Sequence, residues 1–217
     1  FILLGLFVTG LFAHGQTGSL AGRKYIGFWE ISPAMMFAPS MKSKANFSEF
    51  GGGTEQLKGD GIFYGGLLSG GVYMDARHKF QFTAGVVYAT NTIDDSYPKY
   101  GVDIEQHTRV IPLLVEYHYN YELNERLALR AGPVLGVSLV NLKYSETDID
   151  DKGKTAAAIS YGVSLGLNLA LKENLHLDFG YKYIGTASTD FEYGLGEKAE
   201  LDSLGGHLIT AALQLRF

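Results

Sequence analysis

LGGHLITAALQLRF, residues 204–217, alternates between two kinds of side chain. Phe217, Leu215, Leu213, Ala211 and Ile209 are apolar, whereas Arg216, Gln214, Ala212 and Thr210 are polar or small. Successive side chains of a β-strand point to opposite faces, so this period of two describes a strand with one apolar face and one wet face. Chain ends ordinarily fray, yet this segment keeps its alternation up to Phe217. It is therefore expected to be held on both sides, as the last strand of a closed barrel would be. An amphipathic edge strand of a soluble sheet shows the same alternation, and the rest of the chain has to separate the two.

The pattern recurs upstream. Strands are predicted at 24–37, 61–75, 80–90, 106–121, 126–142, 155–171 and 175–184, which with 204–217 makes eight. Alternation is clearest in 155–171, where Ile159, Tyr161, Val163, Leu165, Leu167, Leu169 and Leu171 oppose Ser160, Gly162, Ser164, Gly166, Asn168 and Ala170. It is weakest in 61–75, which is rich in Gly, and Pro33 weakens the first strand because it has no N–H to donate. The connections after the second, fourth and sixth strands are short polar turns, including Asp75 to Lys79, Leu123-Asn124-Glu125 and Lys172-Glu173-Asn174. Those after the odd strands, 38–60, 91–105, 143–154 and 186–203, read as long loops, where ordinary hairpins use about 2–5 residues. A soluble sandwich has no reason to keep every long loop at one end, whereas a transmembrane barrel does. The strands also reach or exceed the roughly 9–11 residues that cross hydrocarbon at a tilt.

Composition agrees with this class. The chain has 217 residues, enough for one domain, with 46% apolar residues, 28 Gly, 13% aromatic residues and only 5 Pro. Mean hydropathy is +0.03, so no overall apolar excess accompanies the strands. A net charge of −5 argues against a nucleic-acid partner, which needs a basic face. With no Cys, disulfides, thiol catalysis and Cys-based zinc sites are excluded. FILLGLFVTGLF, residues 1–12, is too short for a spanning helix, and Ala13-His14-Gly15 supplies small residues before a cut at Gln16. Residues 1–15 thus read as the truncated end of a secretory signal peptide, without its initiator Met or basic region, and residues 16–217 as the barrel domain.

A soluble barrel would turn its bulky parity inward and a membrane barrel would turn it outward. Eight strands enclose a space that side chains alone can fill. The Gly-, Ala- and Ser-rich parity fits such a space and the Leu-, Val- and Tyr-rich parity would overfill it. The fold expected is therefore an all-β, eight-stranded antiparallel up-and-down transmembrane barrel. Tyr25, Tyr64, Tyr73, Tyr88, Tyr117, Tyr119, Tyr121, Tyr161, Tyr181 and Tyr183 lie near strand ends, and those facing lipid would form interfacial girdles. The inward parity carries Glu30, Glu116, Asp178, Arg130, Lys182 and Arg216, with His118 and His176. Isolated charges in a narrow lumen are costly, so these three acids and three bases are expected to pair as a plug. Glu116 with His118, or His176 with Asp178, also has the residue types of an acid–base pair. An ion network uses the same types, and no enzymatic activity is expected.

Taken together, the signal, the strand count, the loop alternation, IPLLVEYHY (111–119), LDFGYKYIG (177–185) and the terminal Phe217 resemble the small eight-stranded bacterial outer-membrane barrels. That group comprises the OmpA transmembrane domain, OmpX and the opacity-type proteins. The resemblance implies export to the bacterial outer membrane, short turns in the periplasm and long loops outside. It also implies that Phe217, Leu215 and Leu213 form the recognition signal for the barrel-assembly machinery. Outer-membrane lipid and lipopolysaccharide are the partners expected, with a surface ligand or host-cell partner at the loops and a monomeric state. The function expected is structural and adhesion-like, with a narrow solute pore and a lipid-modifying hydrolase as alternatives. No cofactor or metal is expected.

The remaining motifs are weaker. Asp148-Ile149-Asp150-Asp151-Lys152-Gly153 begins like a calcium loop, but Lys152 and Ile159 replace two ligands. Gly51-Gly52-Gly53 lacks the G-K-[ST] ending of a phosphate loop. Asp94, Asp95, Asp103, Asp190, Glu192, Glu197, Glu200 and Asp202 make the outer rim acidic. Ser203 and His207, near that rim, have the residue types of a lipid hydrolase's nucleophile and base, but no matching motif surrounds them.

Overall fold

The computed structural model describes residues 26–46, 54–75, 77–93, 104–146, 149–194 and 197–217. The signal-like segment, the triple glycine, Asp94, Asp95, Asp103 and the side chains of the calcium-like loop lie outside the described residues. The strands are β1 (Ile26–Asn46), β2 (Thr54–Tyr73), β3 (His78–Ile93), β4 (Ile104–Asn124), β5 (Leu127–Glu146), β6 (Ile149–Lys172), β7 (Leu175–Thr186), β8 (Thr189–Gly194) and β9 (Glu197–Arg216). Neighbours pair antiparallel in chain order, and β9 pairs with β1 to close the sheet. β7 pairs with β9 up to Gly185↔Gly205, and β8 takes over from Thr189↔Leu201. The two share one position in the wall, so the barrel has eight strands. At the seam, Gly27 N donates to Phe217 O at 3.0 Å and Phe217 N to Gly27 O at 2.9 Å. No sheet edge is left open there.

The long connections differ from the expectation. Paired strand reaches into each stretch read as loop: β1 and β2 run on to Asn46↔Thr54, β3 and β4 to Ile93↔Ile104, β5 and β6 to Glu146↔Ile149. The last connection is the β8–β9 ribbon. Backbone pairing needs no apolar alternation once both faces of a hairpin meet water, so polar sequence ended the expected strands too early. The short turns are held as their sequence suggests. Asp75 Oδ1 accepts from Arg77 N at 2.8 Å and His78 N at 2.7 Å, and Asn124 Oδ1 accepts from Arg126 N at 2.9 Å and Leu127 N at 3.0 Å. Such side-chain bonds to the following backbone are why Asp and Asn favour turns.

The bulky parity faces outward. Ile31, Phe82, Leu135, Val163 and Leu213 are exposed, Phe82 by 66%. A continuous apolar belt of this kind is far larger than the few hundred Å² that soluble proteins tolerate. Inward glycines permit the tight curvature of the wall. A Cβ on Gly132 would overlap the carbonyl oxygen of Tyr117, and one on Gly162 that of Tyr183.

Candidate functional site: the barrel lumen

The lumen is filled in two layers. The layer nearer the short turns is polar. Lys79 Nζ lies 3.5 Å from Glu30 Oε2 and 4.3 Å from the centroid of the Phe28 ring. Lys182 pairs with Glu116, whose Oε1 also accepts from Thr83 Oγ1 at 2.6 Å. Arg130 pairs with Asp178, whose Oδ2 accepts from Asn168 Nδ2 at 3.2 Å. These ion pairs are almost completely buried, so each charge depends on its partner.

His118 sits between two of the pairs. Its Nε2 is 3.1 Å from Arg130 Nη1 and 3.2 Å from Glu116 Oε2. A guanidinium can only donate, so a bond from Arg130 requires a lone pair on that nitrogen, and Nε2 then offers Glu116 no proton. His176 Nδ1 is 2.9 Å from Asn168 Oδ1, which also accepts from Arg216 Nη2 at 3.0 Å. The imidazole proton therefore lies on Nδ1. Arg216 further donates to Gln214 Oε1 at 3.0 Å and to the Tyr73 hydroxyl at 2.8 Å. Gln214 in turn donates to Glu30 Oε2 at 3.1 Å.

Glu30, Glu116, Asp178, Arg130, Lys182, Arg216, His118 and His176 thus share one connected polar layer. Lys79 belongs to it as well, one residue before the expected start of the third strand at Phe80. The signal was present: Lys79 precedes Gln81 by two residues and continues its parity. Tyr73, considered for a lipid girdle, points into the lumen and is 6% exposed.

The second layer, toward the long connections, was not read from the sequence. Phe63, Leu67, Val87, Val110, Leu114, Val134, Ile184 and Leu208 are buried there against one another. Between Leu67, Val110, Pro112, Ile184 and Leu208, with Ser138 and Thr186 also on its lining, remains a gap of about 20 Å³, room for roughly one water. On the short-turn side, a vestibule of about 280 Å³ is lined by Tyr73, Asn120, Glu122, Arg126, Asn168, His176 and Arg216.

The geometry bears on the paired residues considered for catalysis. Glu116, His118 and Asp178 are 0% exposed and engaged in the ion network, whereas His176 lines the vestibule. His207 faces outward, and its Nδ1 is 2.6 Å from the Tyr181 hydroxyl. Ser203 and His207 lie on the continuous strand β9. Four residues of strand separate their Cα atoms by about 13 Å, beyond hydrogen-bond reach. The side chain of Ser203 lies outside the described residues.

Solved structures with the same architecture are outer-membrane proteins. The chain is similar to the outer membrane protein OprG from Pseudomonas aeruginosa, with a TM-score of 0.53, 15% identity, and coverage of 92% of this chain and 99% of that one. The outer membrane protease OmpT from Escherichia coli gives 0.54 at 10% identity, covering 92% and 100%. This chain has the fold of the outer-membrane β-barrels. A major outer membrane protein from Thermus thermophilus aligns at 0.50 with 13% identity, covering 87% and 99%. No family model matches the barrel's sequence, and no curated protein does. At these identities the likeness is one of fold.

Proposed function

We propose that the protein is a non-enzymatic integral outer-membrane barrel whose role is structural and adhesion-like, presented through its four long hairpins. The observation that carries this reading is the two-layered lumen: buried ion pairs toward the short turns and packed apolar side chains toward the hairpins. A lumen so filled favours a scaffold over a solute pore, since an ion passing the vestibule would meet paired charges and then a packed, mostly apolar layer. The outward apolar belt fits residence in a bilayer, and export through the secretory pathway follows from the signal-like start.

Two measurements test the reading. Membrane-extracted protein should migrate faster on gels before boiling than after, and the refolded barrel should show no steady conductance in planar bilayers. Protein that stays soluble without detergent, or discrete open-channel currents from the wild type, would overturn it. Deleting the hairpin tips one at a time should abolish adhesion to a host-cell or abiotic surface without removing the mobility shift. Unchanged adhesion by all four deletions would remove the surface role.

A further inference from the structure

The outward wall changes character along β4 and β5. Ile111 and Leu139 form an apolar row. One step toward the hairpins, Tyr88, Arg109, Asn141 and Thr155 are paired neighbours across four strands. In the row beyond, His107 pairs with Lys143. All of these point outward: Thr108, Val110, Val140 and Leu142, the residues between them, are buried in the lumen. Arg109 and Lys143 are formal cations on outward positions of adjacent strands. Directly paired residues lie about 5 Å apart and diagonal ones about 7–8 Å. Arg109, His107 and Lys143 therefore form a triangle that one tetrahedral anion can bridge. Glu105 occupies the next register position of the same parity, beyond the triangle.

The position of this cluster defines its partner. It sits where the wall passes from aliphatic side chains through Tyr88 to charge, the level of lipid headgroups. Arg and Lys bind phosphate by charge-assisted hydrogen bonds, Arg with its fork and Lys as a point charge. Beside them, Asn141 Nδ2 donates to Thr155 Oγ1 at 2.8 Å and to Lys154 O at 3.2 Å. That bond ties β5 to β6 beside the cations.

We propose that Arg109, Lys143 and His107 bind the phosphate of a phosphorylated glycolipid in the outer leaflet, with Tyr88 flanking its sugar–acyl junction. This rests on the outer-membrane reading and on the hairpins lying outside. The test uses the full barrel in phosphatidylcholine nanodiscs, titrated with bis-phosphorylated lipid A, dephosphorylated lipid A or phosphatidylglycerol and read by native mass spectrometry. Bis-phosphorylated lipid A should bind about tenfold more tightly than the dephosphorylated form. Arg109→Gln with Lys143→Gln should erase that preference while the heat-dependent mobility shift persists. Each single substitution should remove part of it. Equal binding of both lipid A forms, equal binding of phosphatidylglycerol, or an intact preference in the folded double variant would overturn the site. A wild-type chain that needs no detergent would instead overturn the outer-membrane reading, and the site with it.

Discussion

Replacing Arg130 by Ala should destabilise the barrel by about 3 kcal/mol, at the lower end of the cost of breaking a buried ion pair. The guanidinium is 1% exposed and the Asp178 carboxylate 0%. Removing one member of a buried pair leaves the other charged and unpaired, at a cost of about 3–5 kcal/mol. Here Asp178 keeps the bond from Asn168. The vestibule lined by Asn168 and His176 can admit water toward the space vacated, so the lower end of that range applies. A loss of about 3 kcal/mol lowers the folded-to-unfolded ratio roughly 150-fold. The sole tryptophan, Trp29, lies on the wall across from Gly70, with its ring over that glycine, and reports unfolding from lipid. Equilibrium urea unfolding in lipid vesicles, followed by Trp29 fluorescence and by gel mobility, measures the change. Asp178→Ala should cost a similar amount, and the double variant less than the sum by about 2 kcal/mol, as directly coupled residues do. A single-variant loss below about 1 kcal/mol, typical of solvated pairs, together with zero coupling would refute a buried ion network. Gly166 tests the same arrangement sterically. A Cβ there would fall 2.5 Å from Arg130 Nε, so Gly166→Val should displace the guanidinium and cost about 1–3 kcal/mol.

Three further outcomes are expected. Phe63→Ala with Leu114→Ala opens the apolar layer; it should cost about 2–5 kcal/mol per site and raise conductance in planar bilayers, and a stable, silent variant would show that this layer does not seal the lumen. Deleting Phe217 removes the two backbone bonds to Gly27 but leaves the remaining β1–β9 ladder, so folded protein in the membrane should fall while the mobility shift of what remains persists; normal membrane levels would contradict an assembly role. Asp75 lies in an exposed turn, where the Arg77 backbone N–H first, then that of His78 and the nearby positive charges, hold its carboxyl below the usual carboxylate value. Its contribution to the turn is thus fully present above the unfolded value of about 3.9 and is lost as pH falls through the lower folded value; a carboxyl titration by NMR with its midpoint at or above the ordinary value would contradict those bonds.

Much of the barrel was legible because a strand's alternation is local. Ile159 to Leu171 and Ile209 to Phe217 assign their own outward faces without any partner, and the Asp75 and Asn124 turns carry their own bonding atoms. The inward charges followed by the same parity. The strand ends did not, because beyond the bilayer polar residues on both faces are compatible with continued pairing, as in β8 and the outer part of β9.

LGGHLITAALQLRF by itself determined a strand with Leu213, Leu215 and Phe217 on one face and Gln214 and Arg216 on the other. Only the closed structure decided what those inner residues meet. Gln214 reaches Glu30, 184 positions away, and Arg216 reaches Tyr73 and Asn168. Closure likewise stacks Phe63, Leu114 and Leu208 into one apolar layer and sets Lys79 against Glu30. Alternation depends on backbone geometry within a strand, whereas contact across a lumen depends on the register and tilt of every strand in the wall.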